Sequence, residues 1–154
     1  MRNIKKEVAD FISVARLSGI DVKETSIHIE QLPAPHQPPK ALPKGKMAVY
    51  IFFLGPECLE VGKVGPKSQA RYTSQHYNSK SSNSNLAKSI LKDRLKLGIA
   101  DLSDDSIGKW IKTNTDRVNI LLSVEYGISV LTLLESFLQC RLKPRFEGFD
   151  SQKV

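Results

Sequence analysis

The sequence predicts an α+β domain: a small three-stranded antiparallel sheet flanked by helices, with an N-terminal helix and a proline-rich connector ahead of it. Two short apolar segments, residues 48–54 and 58–64, are separated by a Gly-Pro-Glu turn sequence, which predicts a hairpin. A third apolar segment, residues 117–124, supplies the third strand. Residues 127–142 place apolar side chains at helical spacing, which predicts a long helix packed on that sheet.

The first part of the chain is predicted to precede the main domain. Residues 1–18 carry a helical stripe of apolar side chains, and residues 21–29 alternate loosely enough for a short edge strand. Residues 32–43 contain five prolines, which lack the amide hydrogen and disfavour helix in the residue before them. We therefore expect residues 1–43 to form an N-terminal helix and extended connector, and residues 44–150 to form the main domain.

A short helix that carries an arginine is predicted directly after the hairpin. Gly65-Pro66 ends the second strand, and Ser68 is placed to cap a helix that begins near Gln69 and includes Arg71. Residues 78–85 are polar throughout, which predicts a loop, because such a segment has no apolar surface to bury.

The second half of the chain adds three elements. Residues 86–95 predict a helix capped by Asn85. The lysines of this helix either face solvent or, if a basic cleft lies beside them, follow a phosphate backbone. Residues 106–111 predict a short helix. In the long helix of residues 127–142, Glu135 falls at the border of the apolar face.

Composition favours a cytoplasmic protein with a polyanionic partner. The chain has 154 residues, of which 40% are hydrophobic and 25% charged, as in an ordinary globular domain. No apolar run is long enough for a membrane span, and we expect no secretory signal. Cys58 and Cys140 are expected to be free thiols. The net charge of +7 favours nucleic acid, because each lysine or arginine near a phosphate releases condensed counterions.

The residues of the hairpin and its neighbours resemble the GIY-YIG nucleases. The resemblance lies in the ordered set of Val49-Tyr50 on one strand, Val61-Gly62-Lys63 on the next, Arg71 in the following helix and Glu135 in a later helix. Ala48 stands where the first motif usually has glycine. The second motif is either Glu60-Val61-Gly62 or Lys63-Val64-Gly65, and neither contains its tyrosine.

This resemblance implies a metal-dependent endonuclease that hydrolyses DNA phosphodiester bonds. Glu135 would hold a single Mg²⁺ or Mn²⁺, and Arg71 would bind the scissile phosphate through paired N–H donors. Tyr50 would be the general base on the attacking water, and Lys63 would lower its pKa. His76 would have a secondary role, in which it holds either the phosphate or Tyr50.

Two alternatives remain open at this stage. The first is a catalytically degenerate GIY-YIG-like domain that binds nucleic acid without cutting it. The second is a protein-interaction module, in which residues 1–43 recruit a protein partner.

Overall fold

The computed structural model describes residues 3–83 and 85–146, which form five α-helices and one four-stranded antiparallel sheet. The helices are α1 (Ile4–Leu17), α2 (Gln69–Thr73), α3 (Leu86–Lys92), α4 (Ile107–Asn114) and α5 (Gly127–Leu142). The strands are β1 (Ile27–Leu32), β2 (Lys46–Leu54), β3 (Glu57–Val64) and β4 (Asp116–Ser123). Short 3₁₀ turns occupy Glu24–Ser26, Gln75–Tyr77 and Val124–Tyr126. The predicted α+β class is confirmed.

The sheet has four strands where the sequence predicted three. The strand order is β1-β4-β2-β3, and β1 pairs with β4 along its whole length, from Ile27 opposite Leu122 to Leu32 opposite Arg117. Strand β1 was predicted only as a possible short edge strand at residues 21–29, because Gln31 interrupts the alternation of Ile27 and Ile29. It lies nearer the connector than expected and extends the sheet on the side of β4.

Strand β2 is the centre of the fold because both of its faces are buried. Successive side chains of a strand point to opposite faces. Val49, Ile51 and Phe53 therefore join one apolar cluster, with α1 and α5, while Tyr50 and Phe52 join the other, with α2, α3 and α4. The continuous apolar run that predicted this strand thus reflects a sheet covered on both sides.

Residues of the predicted N-terminal segment share this sheet and core. Side chains of α1, including Ile4 and Phe11, are fully buried in the cluster with α5, and β1 is part of the sheet. The connector after β1 contains no strand or helix, but His36 within it is buried. Its ring bonds to the carbonyl of Thr115 at 2.9 Å and to the hydroxyl of Tyr77 at 2.8 Å.

The first residues of β3 are hydrogen-bonded to the chain segment that follows α5. The backbone N–H groups of Arg145 and Phe146 donate to the carbonyls of Cys58 and Leu59, both at 2.9 Å. The later part of β3 remains at the edge of the sheet and faces the cleft described below. Residues 147–150 of the predicted main domain lie outside the described residues.

Two further expectations concern membranes and thiols. In the part of the chain described, no helix has the length and apolar character needed to cross a membrane. Among the described residues, neither Cys58 nor Cys140 forms a disulfide; Cys58 is buried and Cys140 is exposed.

Candidate active site

Tyr50 lies across strand β3 at the one position where that strand leaves room for its ring. Its partner in the antiparallel register is Gly62. A Cβ atom added to Gly62 would lie 2.1 Å from the Tyr50 hydroxyl oxygen and 2.4 Å from its Cζ, closer than any real contact. Glycine at position 62 therefore has a steric reason in this fold, because the absence of a Cβ atom allows the Tyr50 side chain to pack against β3.

The Tyr50 hydroxyl contacts two charged side chains. Arg71 in α2 donates from Nη2 to Tyr50 Oη at 2.8 Å, and Tyr50 Oη donates to Glu60 Oε1 at 3.4 Å. Burial and the negative charge of Glu60 raise the pKa of Tyr50 well above its usual 10, and the Arg71 guanidinium opposes this only in part. Tyr50 is consequently a neutral hydroxyl over the ordinary pH range.

Glu60 is the site residue that the sequence analysis missed. The signal available in the sequence was a carboxyl between two apolar neighbours, Leu59 and Val61, in a predicted strand, at one of the two positions that the second motif could occupy. The side chain is only 12% exposed, and its Oε2 atom is buried without a hydrogen-bond partner among the described residues. Burial raises the pKa of the Glu60 carboxyl to about 7, against the opposing effect of Arg71.

His76 packs against the tyrosine and does not reach the cleft. Its ring is fully buried, with its centroid 4.3 Å from that of Tyr50 and 5.5 Å from that of Phe52. Burial, reinforced by Arg117 and Arg71, lowers the pKa of His76 well below 6.5, so the ring is neutral. Its Nδ1 atom accepts from the Leu86 amide at 3.4 Å, which leaves it as a support for Tyr50 rather than a phosphate ligand.

Lys63 and Glu135 form an ion pair beside this group. Lys63 Nζ donates to Glu135 Oε2 at 2.7 Å, and the two side chains are 38% and 15% exposed. This corrects the predicted role of Lys63, because the cation that contacts the Tyr50 hydroxyl is Arg71 and the pKa of Tyr50 is raised rather than lowered. The removal of the phenol from water outweighs the nearby positive charge.

A metal site at Glu135 would rest on one protein carboxylate. No group of three or more His, Cys, Asp or Glu side chains with the spacing of a metal site occurs among the described residues. Mg²⁺ retains several waters and often takes only one or two carboxylates. Glu135 lines the cleft and is partly exposed, so it fits such a site, in which the cation would compete with Lys63 for the carboxylate.

These residues open onto one cleft of about 950 Å³. Tyr50, Glu60, Arg71 and Glu135 all line it, which brings together residues from β2, β3, α2 and α5. The cleft is also lined by basic and polar residues of α3 and its flanks, Asn83, Asn85, Lys88, Lys92 and Lys96, together with Asp93. Asn85 caps α3 as predicted, since its side chain accepts from the Lys88 amide at 2.9 Å.

A buried arginine behind the cleft holds α2 in place. Arg117 of β4 is fully buried and donates from Nη2 to the carbonyl of Tyr72 at 2.7 Å, from Nη1 to the hydroxyl of Tyr77 at 3.1 Å, and from Nε to Asn119 Oδ1 at 2.9 Å. Tyr72 directly follows Arg71, so these bonds fix the helix that presents Arg71 to Tyr50. The sequence indicated Arg117 only as the start of a strand.

Comparisons with protein-family models, with curated proteins and with solved structures find no match to this chain. The resemblance to the GIY-YIG nucleases therefore stays a prediction, carried by the residues and the geometry described above.

Proposed function

We propose that this protein is a divergent GIY-YIG-like nuclease that hydrolyses DNA phosphodiester bonds in the cleft with the help of Mg²⁺ or Mn²⁺. The observation that carries the proposal is the convergence of Tyr50, Arg71 and Glu135, from three separate elements, on one cleft. The other two residues singled out from the sequence contact this group: the His76 ring packs against Tyr50, and Lys63 is paired with Glu135. Unrelated surface residues have no reason to meet in this way.

The chemistry of each group suits phosphodiester hydrolysis. Arg71 offers N–H donors to a phosphate oxygen, and its fork geometry matches two oxygens at once. Tyr50 places a hydroxyl beside that arginine, where it can orient the attacking water. A divalent cation held by Glu135 would neutralise negative charge that develops on the phosphoryl oxygens.

The charge of the cleft and of the chain favours a nucleic-acid substrate. The chain carries 23 basic and 16 acidic residues, and Lys88 and Lys92, four residues apart, share one face of α3. Both line the cleft together with Lys96 and with Glu135. A row of lysines beside a catalytic group is suited to neutralising the successive phosphates of a backbone.

A second candidate is a domain of the same kind that binds nucleic acid without cutting it. Two observations favour it: Glu135 is already paired with Lys63, and the pKa of Tyr50 is raised well above 10. The ion pair opposes the binding of a cation at Glu135, and the raised pKa of Tyr50 opposes a mechanism in which Tyr50 itself keeps the proton from water. The two candidates share the binding cleft and differ only in cleavage.

Binding is tested by the salt dependence of duplex affinity, measured by fluorescence anisotropy in EDTA so that no cutting intervenes. We expect the affinity to fall steeply between about 50 and 200 mM salt, and Arg71→Gln to reduce the log–log slope by about one. Arg16→Gln, an exposed arginine on α1, is the matched control and should leave the slope unchanged. An affinity independent of salt would refute both candidates.

A further inference from the structure

The Tyr50 hydroxyl lacks the basicity to keep a proton taken from water. It is fully buried and stays neutral, as described above, so another group must take up the proton if Tyr50 contacts the attacking water. A hydroxyl has one proton to donate and two lone pairs to accept with. In this site the proton points to Glu60 Oε1, and one lone pair accepts from Arg71. The second lone pair is left for a water molecule.

We infer that Glu60 is the terminal proton acceptor of the cleavage reaction, and that it receives through the Tyr50 hydroxyl the proton that the attacking water loses. This inference rests on the proposed function. The geometry that carries it is the 3.4 Å contact from Tyr50 Oη to Glu60 Oε1, the position of both residues on the cleft wall, and the buried Oε2 atom without a hydrogen-bond partner in the described structure.

The step balances without any group beyond water and the phosphodiester. The water oxygen forms a bond to phosphorus while one of its protons passes to Tyr50 Oη and the phenolic proton passes to Glu60. Tyr50 ends unchanged and Glu60 becomes a carboxylic acid. The phosphorus–oxygen bond to the leaving group breaks, its electron pair stays on the leaving oxygen, and that oxygen takes a proton from solvent. Glu60 then returns its proton to solvent.

The groups around Glu60 set the pH at which it can act. Tyr50 faces it from β2, Arg71 from α2, His76 from the 3₁₀ turn after α2, and Arg117 lies behind it on β4. The His76 Nδ1 atom is 3.6 Å from Glu60 Oε2, but the ring is neutral and adds no cation. Burial outweighs the two arginines and raises the pKa of Glu60 to about 7, a value suited to a general base near neutral pH.

The test is the pH–rate profile of DNA cleavage by the full chain and three variants. The wild type should show a rising limb with its midpoint near the pKa of Glu60, about 7. Glu60→Gln, which keeps the shape of the side chain, should lose about a hundredfold in rate at pH 8 and lose this limb. Glu60→Asp keeps a carboxyl and should retain a limb at a reduced rate. Glu24→Gln, a matched change at an exposed glutamate, should leave the profile unchanged.

The outcomes separate this inference from the proposed function. If the wild type cuts DNA and Glu60→Gln keeps the wild-type limb, the role of Glu60 is refuted while the nuclease stands. If the wild type cuts, but ¹³C NMR shows that Glu60 titrates below pH 5, the inference also fails. If the wild type binds duplex DNA and cuts none at any pH with Mg²⁺ or Mn²⁺, the proposed function falls and the inference falls with it.

Discussion

The close approach of Tyr50 to Gly62 makes Gly62→Ala the most informative single change to the site. The new Cβ atom would lie 2.1 Å from the hydroxyl oxygen and 2.4 Å from Cζ of Tyr50. Any shift of the ring disturbs its packing on Phe52 and His76, because the ring is fully buried and contacts both. The tyrosine must therefore tilt away from β3, and its hydroxyl must leave Arg71.

The size of the effect follows from three contributions to the free energy of unfolding. Overpacking a buried site costs about 1–3 kcal/mol. Loss of the hydrogen bond from the Arg71 guanidinium to the Tyr50 hydroxyl, at 2.8 Å, costs about 1.5–3 kcal/mol when the partners stay unpaired. Alanine offsets about 0.4–1 kcal/mol, because it restricts the unfolded chain more than glycine does. We expect a net loss of about 2–4 kcal/mol.

Urea unfolding followed by circular dichroism measures this loss, with an unchanged m-value as the sign that the same surface is exposed. Gly65→Ala, three residues along, is the matched control, since its Cβ would meet nothing closer than Ile128 Cδ1 at 4.0 Å. Replacement of Tyr50 by valine in the Gly62→Ala background should recover part of the loss, which a double-mutant cycle would show as coupling. If Gly62→Ala is as stable as Gly65→Ala, the packing of Tyr50 on β3 is refuted.

Three further predictions concern the groups around this tyrosine. Arg117→Met should lower the free energy of unfolding by about 2–4 kcal/mol in the same assay, since the Tyr72 carbonyl and Asn119 Oδ1 lose a buried donor while the Tyr77 hydroxyl keeps its bond to His36. A loss below about 1 kcal/mol would contradict the role of Arg117 in holding α2. Tyr50→Phe keeps the ring and removes the hydroxyl, so DNA cleavage should fall at least about a hundredfold with binding intact, and near-normal cleavage would mean that another group activates the water. The pKa of Glu60 is about 7 when folded, against an ordinary value of 4.5, so the folded state binds the extra proton between these values. The stability of the wild type relative to Glu60→Gln should therefore fall by about 3 kcal/mol as pH rises from about 4.5 to about 7, and a pH-independent difference would contradict the burial of this carboxyl.

The sequence predicted those parts of the fold that depend on local pattern. Helix α5 occupies Gly127–Leu142, the residues predicted, because its apolar stripe and the Lys143-Pro144 break are both local signals. The hairpin of β2 and β3 was equally clear from its turn. Strand β1 was placed too early because Gln31 breaks the alternation that Ile27 and Ile29 begin, and its pairing with β4 joins residues about ninety positions apart.

Three members of the candidate site were predictable, but Glu60 and the environment of the group were not. Tyr50, Arg71 and Glu135 do reach one cleft, which the ordered motifs predicted. The pKa of Tyr50 could not be predicted, because it depends on what covers the strand, and burial here outweighs the charge of Arg71. The same long-range packing gives Glu60 its raised pKa, and it buries Arg117 behind α2.

Nicking of supercoiled plasmid is the most direct test of the proposal that this cleft cuts DNA with the help of a cation at Glu135. The wild type and Glu135→Gln should be compared with Mg²⁺, with Mn²⁺ and with EDTA, at a salt concentration where both bind duplex DNA. We predict nicking by the wild type in either metal, none in EDTA, and a loss of nicking in Glu135→Gln without loss of binding or fold. A wild type that binds the plasmid and leaves it intact in both metals would contradict this proposal and favour a domain that only binds.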